Sequence, residues 1–146
     1  MNDNYSYTFG KKVYDLSART HVMGVLNVTP DSFSDGGKFL KAEDAIAHGK
    51  KMETDGADFI DVGGASTRPG AEEVSIEEEL KRVIPVITAL AKEVSIPVSV
   101  DTYRAQVADE ALKAGALIVN DISAFAFDPA MAETIAKHNA SAVAMH

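Results

Sequence analysis

Short apolar runs rich in β-branched residues alternate along this chain with longer segments of helical period, which restricts it to a parallel α/β architecture. The runs are HVMGVLN (21–27), FIDV (59–62), PVSVD (97–101), LIVND (117–121) and AVAMH (142–146). They are apolar on both faces, as strands covered on both sides are, and polar residues gather at their carboxyl ends. A strand pattern of this kind places loops, and therefore chemistry, on one rim of a parallel sheet.

The helices between the runs are punctuated. The first is expected at about 41–55, closed by Gly56. The second opens on Ser75, whose hydroxyl faces the amide of Glu78 in a capping box, and Pro85 predicts a kink or an early break within it. The third is expected at about 103–114, closed by Gly115. The fourth starts at Asp128-Pro129 and stops near Asn139. Ahead of these units, YTFGKKVYDLS (7–17) holds two strand-like pieces around Gly10, a hairpin able to close one end of a barrel.

Five strands and four helices are about half of a (β/α)8 TIM barrel, which typically takes about 250 residues, whereas this chain has 146. A doubly wound sheet of five strands fits the length, but no GxGxxG and no P-loop follows the first strand. The fold expected is therefore α/β, the first half of a parallel (β/α)8 barrel. Residues 1–20 are expected as a hairpin or cap and 21–146 as the first βα units.

Composition excludes several functions. Fourteen Lys and Arg stand against 22 Asp and Glu, a formal charge of -8 that disfavours nucleic acid and anionic membranes as partners. Cys is absent, which removes disulfides and thiolate chemistry and suits a cytoplasmic location. No run has the length of a membrane span, and no apolar core of a signal peptide opens the chain. The four His show no zinc spacing, and there is no GxSxG elbow for acyl transfer. His48 and His138 are expected at the surface.

Two long polar loops follow the first two strands, NVTPDSFSDGGKF (27–39) and GGASTRPGAEEVS (63–75). Loops of that length in a compact domain commonly work on a ligand. Asp101 ends its strand, and its two oxygens match the donor-donor edge of an amino-pyrimidine such as a pterin or guanine. Capping the next helix is the alternative. Asn120 offers a donor and an acceptor to the same heterocycle, or is a buried amide that tethers a loop. Asp121, next to it, faces the opposite way in a structural role. Asn27 is a neutral oxygen suited to hydrated Mg2+, or a turn former before Thr29-Pro30. Ser66, Thr67 and Arg68 place two hydroxyls and a guanidinium where a diphosphate would fit, or simply solvate their loop. Asp61 is expected to orient the loop, and Phe33 and Pro69 to wall an aromatic substrate or pack within their own loops.

Four strings, GVLNVTPDSFSDGG (24–37), IDVGGASTRPG (60–70), SVDT (99–102) and ND (120–121), stand in the order and spacing of the dihydropteroate synthases. The chain from about His21 resembles the amino-terminal half of that family. The resemblance implies a TIM barrel that condenses 6-hydroxymethyl-7,8-dihydropterin diphosphate with p-aminobenzoate in folate synthesis, a sulfonamide-sensitive transferase that is a homodimer at full length. It implies that Asp101 and Asn120 hold the pterin, with Ile122 and Met145 near its ring. It places Asn27 on Mg2+, Thr67 and Arg68 on the diphosphate, and Phe33, Ser66 and Pro69 beside the aminobenzoate. No catalytic nucleophile is implied, since positioning and electrostatics carry the reaction. Ala65 stands where the family usually has Glu, and the residues that complete the family's site lie on later strands. An isolated half is expected to turn over weakly or not at all. A corrinoid-dependent methyltetrahydrofolate methyltransferase and a non-catalytic half-barrel are the competing readings.

Overall fold

The computed structural model describes residues 5–28, 38–65 and 73–145. Among the described residues seven strands and four helices run in the order β1 (Ser6–Phe9), β2 (Lys12–Asp15), β3 (Met23–Asn27), α1 (Lys38–Thr54), β4 (Phe59–Gly63), α2 (Ile76–Glu93), β5 (Val98–Asp101), α3 (Ala105–Ala114), β6 (Ile118–Asp121), α4 (Met131–Lys137) and β7 (Ser141–Ala144). Strands β3 to β7 form one parallel sheet in sequence order, with a helix in each crossover. Sequential order without a switch point is the order of a barrel wall, not of a doubly wound sheet.

Parity along the strands decides which face is the core. Leu26, Val62, Val100 and Val119 share one row of the register and are buried. Against that face α2 lays Val83, Val86, Ile87 and Leu90, the 3–4 spacing of one helical stripe, and all four are fully buried. Each such side chain contributes about 1.5–3 kcal/mol through burial. The helices stand close together because Gly49 and Gly115 leave room: a Cβ at Gly49 would come within 2.8 Å of Leu90, and one at Gly115 within 2.6 Å of Ala91.

Helix ends follow local chemistry with instructive departures. Ser75 Oγ accepts from Glu78 N at 3.2 Å as its capping role requires. Pro85 does not break α2, which continues to Glu93. Lys81 and Pro85 are exposed, so water can take the carbonyl that proline leaves without a donor, while buried Val83, Val86 and Ile87 hold the turns around it. Helix α3 starts at Ala105 and closes on Gly115 at φ 114. Asp128 does not cap the first turn of α4 as expected. Its Oδ1 accepts from Ala130 N at 3.0 Å in a turn that precedes the helix, and its Oδ2 reaches α3, accepting from Ala105 N at 2.8 Å.

The hairpin β1–β2 turns at Gly10, φ 60, and packs at the amino-terminal ends of the parallel strands. Phe9 meets Phe59 edge-on at 5.2 Å between centroids, and Tyr14 lies 5.1 Å from the same ring. Phe9, Phe59 and Ile118 make a small second core there, which closes one end of the sheet as the sequence indicated. His138 departs from expectation. It is largely buried, with Nε2 2.7 Å from Asp109 Oδ1, whereas His48 is exposed as expected. Asp109 also receives Lys113 and Lys137, and these hydrogen bonds hold its carboxyl well below the usual carboxylate range.

Candidate functional site

One row of the register runs across the carboxyl rim of the sheet: Asn27 pairs with Gly63, Gly63 with Asp101, Asp101 with Asn120, and Asn120 with Val143. Residues opposite one another on parallel strands project to the same face. Three of the residues expected to bind ligand are therefore brought onto one line by backbone pairing alone. Gly63 sits between Asn27 and Asp101 and keeps the line open. A Cβ there would lie 3.4 Å from Asp101 Oδ2 and 3.6 Å from Asn27 Oδ1.

Asp101 is not the cap of α3. Thr102 Oγ1 accepts from Arg104 N at 3.2 Å and Asp128 from Ala105 N, so the start of that helix is served by others. Asp101 Oδ1 is buried without a hydrogen-bond partner among the described residues, as are Asp61 Oδ1 and Ser99 Oγ. Burial pushes the Asp101 carboxyl up from 3.8 to about 6, helped by the negative charges of Asp61, Glu79 and Asp121. Buried acceptors left unpaired cost about 1–3 kcal/mol each. A ligand that brings donors recovers that energy.

Asn120 Nδ2 donates to Asp61 Oδ2 at 2.9 Å. The amide is held by a neighbouring strand and not by a loop, and this bond sets the direction of its carbonyl oxygen. Asp61 holds the amide of Asn120, and most of the loop after β4 that it is expected to orient lies outside the described residues. Asp121 plays the structural part expected of it: Oδ1 accepts from Ser123 N and Oγ, both at 2.7 Å, and Oδ2 from Phe125 N at 3.1 Å. These bonds hold Ala124 and Phe125 at positive φ, 51 and 70, in the loop that carries half-buried Ile122. Met145 lies just past β7, its amide on Asp121 O at 3.1 Å and its side chain exposed. Phe33, Ser66, Thr67, Arg68 and Pro69 lie outside the described residues.

Four charged residues without a ligand-type motif of their own support this rim. Arg82 Nη1 donates to Gly64 O at 2.9 Å, Arg104 Nη1 to buried Glu79 at 2.8 Å, and Arg104 Nη2 lies 3.4 Å from Glu73 Oε1. Their only sequence signal was charge at helix starts beside a ligand-type loop. Among the described residues no three His, Cys, Asp or Glu side chains form a metal cluster, so a metal here would need an oxygen such as Asn27 Oδ1 together with ligand oxygens.

The family model for pterin binding enzymes matches residues 23–146. The chain belongs to the pterin binding enzyme family. Within that family it is 60% identical over 128 residues to the dihydropteroate synthase of Bacillus subtilis, covering 88% of this chain and 45% of that protein. A crystal structure of the Clostridium difficile dihydropteroate synthase in the presence of pteroic acid is 54% identical, with a TM-score of 0.88 and coverage of 91% of this chain and 51% of that one. The Xanthomonas albilineans dihydropteroate synthase with 4-aminobenzoic acid is 45% identical, with a TM-score of 0.90 and coverage of 97% and 51%. The chain thus spans about half the length of these relatives. As a pterin binding enzyme it supplies five βα strands and four helices to the (β/α)8 architecture that the sheet order had indicated. The motifs on which the resemblance rested lie inside the matched span.

Proposed function

We propose that this chain provides the amino-terminal side of a dihydropteroate synthase site, where 6-hydroxymethyl-7,8-dihydropterin diphosphate condenses with p-aminobenzoate to give 7,8-dihydropteroate. The observation that carries the reading is the row Asn27, Gly63, Asp101, Asn120, in which a buried carboxylate oxygen without a partner among the described residues lies beside an oriented amide. That pair suits the donor-rich edge of a pterin. The named relatives, one solved with pteroic acid and one with 4-aminobenzoic acid, support the same reading.

In this reading Asp101 accepts from the amino-pyrimidine edge and Asn120 Oδ1 accepts beside it, with Ile122 and Met145 against the ring. Thr67 and Arg68 bind the diphosphate, and Phe33, Ser66 and Pro69 line the side where the aminobenzoate enters. Asn27 Oδ1 fits a magnesium ion that otherwise takes water and phosphate oxygens. When bound, Mg2+ neutralises charge on the departing diphosphate. The bond from the pterin methylene carbon to oxygen breaks, diphosphate carries away the electron pair, and the electron-rich dihydropterin stabilises the methylene cation. The arylamine nitrogen then attacks that carbon and loses a proton. The protein's part is to hold the pterin ring fixed and to place the amine on its open side, so no enzyme nucleophile is required. A homodimer and a cytoplasmic location accompany the reading.

The test is turnover by the intact protein, expressed as its gene encodes it, with pterin diphosphate, p-aminobenzoate and Mg2+. Formation of dihydropteroate, blocked by sulfonamide and lost in Asp101→Asn, is expected. Methyl transfer from methyltetrahydrofolate without condensation would overturn the reading in favour of the corrinoid-dependent class, and binding without either reaction would favour a non-catalytic half-barrel.

A further inference from the structure

The turns that follow Asp101 and Asn120 are strapped to each other. Thr102 N, next after Asp101, donates to Asn120 O at 3.1 Å. Asp128, in the loop between β6 and α4, accepts through Oδ2 at 2.8 Å from the amide of Ala105, the first residue of α3. Beside that bond the rings of Tyr103 and Phe127 meet edge-on, 5.5 Å between centroids. The loop between β6 and α4 is thus anchored twice. Its near end is held by fully buried Asp121, which accepts from Ser123 and Phe125, and Ser123 Oγ extends the hold by accepting from Phe127 N at 3.1 Å. Its far end is held on α3 by Asp128. Ile122 lies between the two anchors, as do Ala124 and Phe125 at φ 51 and 70.

We propose that Asp128 is a positioning residue for the pterin side of the site, which keeps Ile122 in place relative to Asp101 by holding the far end of the loop. The inference rests on the functional reading above. Its physical logic is strain. Residues other than glycine keep a positive φ only where their surroundings over-determine it. With the far end released, Ala124 and Phe125 relax and carry Ile122 out of place. A carboxylate suits this task because its two oxygens serve two amides, Ala105 N on α3 and, at 3.0 Å, Ala130 N in the turn before α4. It thereby locks the loop and both helices into one arrangement. Asp128→Asn has one acceptor oxygen where the carboxylate uses two, so it keeps part of the hold, and Asp128→Ala keeps none.

The intact protein is to be compared with D128A, D128N and F9A, the last altered at the opposite ends of the strands. Kd for 6-hydroxymethylpterin is expected to rise about tenfold in D128A and about threefold in D128N, and to stay within about twofold in F9A. Hydrogen exchange in D128A is expected to rise at the Phe125 amide, whose own bond goes to Asp121, as well as at Ala105, with Ile118 and Val119 unchanged. A merely structural role would raise exchange at Ala105 alone and leave Kd unchanged, or weaken pterin in F9A as much as in D128A. Either result would overturn the proposal. D128N, the milder change, carries the test where D128A does not fold, and parental affinity in D128N would overturn the proposal too. If the unaltered protein binds no 6-hydroxymethylpterin, the functional reading fails, and with it the role of Asp128 toward pterin. Exchange at Phe125 then decides separately whether the strap exists.

Discussion

Asn120 and Asp61 are bonded across β5, amide nitrogen to carboxylate oxygen at 2.9 Å, although 59 residues separate them in the chain. The bond links β6 to β4 on the face where Asp101 stands between them. It makes Asp61 the residue that aims Asn120 and also part of the negative field that raises Asp101.

Removing Asp61 is therefore expected to have two separable effects. In Asp61→Ala the Asn120 amide loses its tether, and pterin affinity falls about tenfold, the value of roughly one hydrogen bond. At the same time the Asp101 carboxyl moves back toward its ordinary range, so the acid limb of pterin binding shifts to lower pH. Calorimetric titration of 6-hydroxymethylpterin across pH checks both.

Asp101 itself predicts a pH dependence. Its carboxyl titrates near 6, and only the ionised form accepts both donors of an amino-pyrimidine edge. Pterin affinity is expected to fall about tenfold for each pH unit below 6 and to level off above 7. For stability the sign is reversed. A carboxyl whose value is raised on folding favours the folded state below about 4, and that advantage is lost as pH rises through 6. Asp101→Asn should therefore stabilise the protein at pH 7, by about 1–2 kcal/mol once partial solvent exposure is allowed for, while abolishing pterin binding. Denaturant unfolding at pH 4 and pH 7 measures the difference, and a variant less stable than the parent at pH 7 contradicts the assignment.

Gly63 and Gly64 are neighbours with opposite expected behaviour. A Cβ at Gly63 makes ordinary contacts at 3.4 and 3.6 Å, but it lies between Asn27 and Asp101. Gly63→Ala should change stability by less than about 1 kcal/mol and still weaken ligand binding. A Cβ at Gly64 would come within 2.6 Å of Val83 in the core, so Gly64→Ala should cost about 1–3 kcal/mol through overpacking. Paired unfolding and binding curves distinguish the two.

Asp121 holds a loop that Ala124 and Phe125 would not adopt unaided. Asp121→Ala removes acceptors from three donors, and a loss of about 2–3 kcal/mol is expected. Because Ile122 lies in the released loop, pterin affinity should fall with it. Asp121→Asn, which keeps one acceptor oxygen, should recover part of both.

The amino-terminal hairpin is expected to matter for stability and not for ligands. Phe9→Ala empties the centre of the small aromatic core and should cost about 3 kcal/mol. The site lies at the opposite ends of the strands, so Kd for 6-hydroxymethylpterin should be unchanged at temperatures where the variant is folded.

Much of the rim was legible because backbone pairing in a parallel sheet follows from local pattern. Asn27 and Asp101 are the last residues of their runs and Asn120 is the first polar residue of its own, and pairing in the parallel sheet brings the three onto one face. The placing of Asp121 on the other face followed from the same alternation, and its loop bonds agree with it. Of the kink or early break expected at Pro85 the break does not occur, since local propensity does not record that Lys81 and Pro85 are exposed while the turns around them are anchored in the core. Asp128 was read as the cap of its own helix, although one of its oxygens serves α3, a partner 23 residues away. His138 was read as a surface residue because nothing near it in the chain reveals Asp109, 29 residues earlier.

The sequence by itself determined the strand order expected of a barrel, the rim on which chemistry gathers and the family whose motifs those loops carry, because all three follow from period, parity and contiguous strings. The tertiary structure alone decided which polar atoms are paired. Asp61 with Asn120, Arg104 with Glu79, and the Asp101 oxygen that has no partner among the described residues depend on how side chains meet across separate elements. Burial and hydrogen bonding between distant residues have no local signature, and they are what turns a row of polar strand ends into a site.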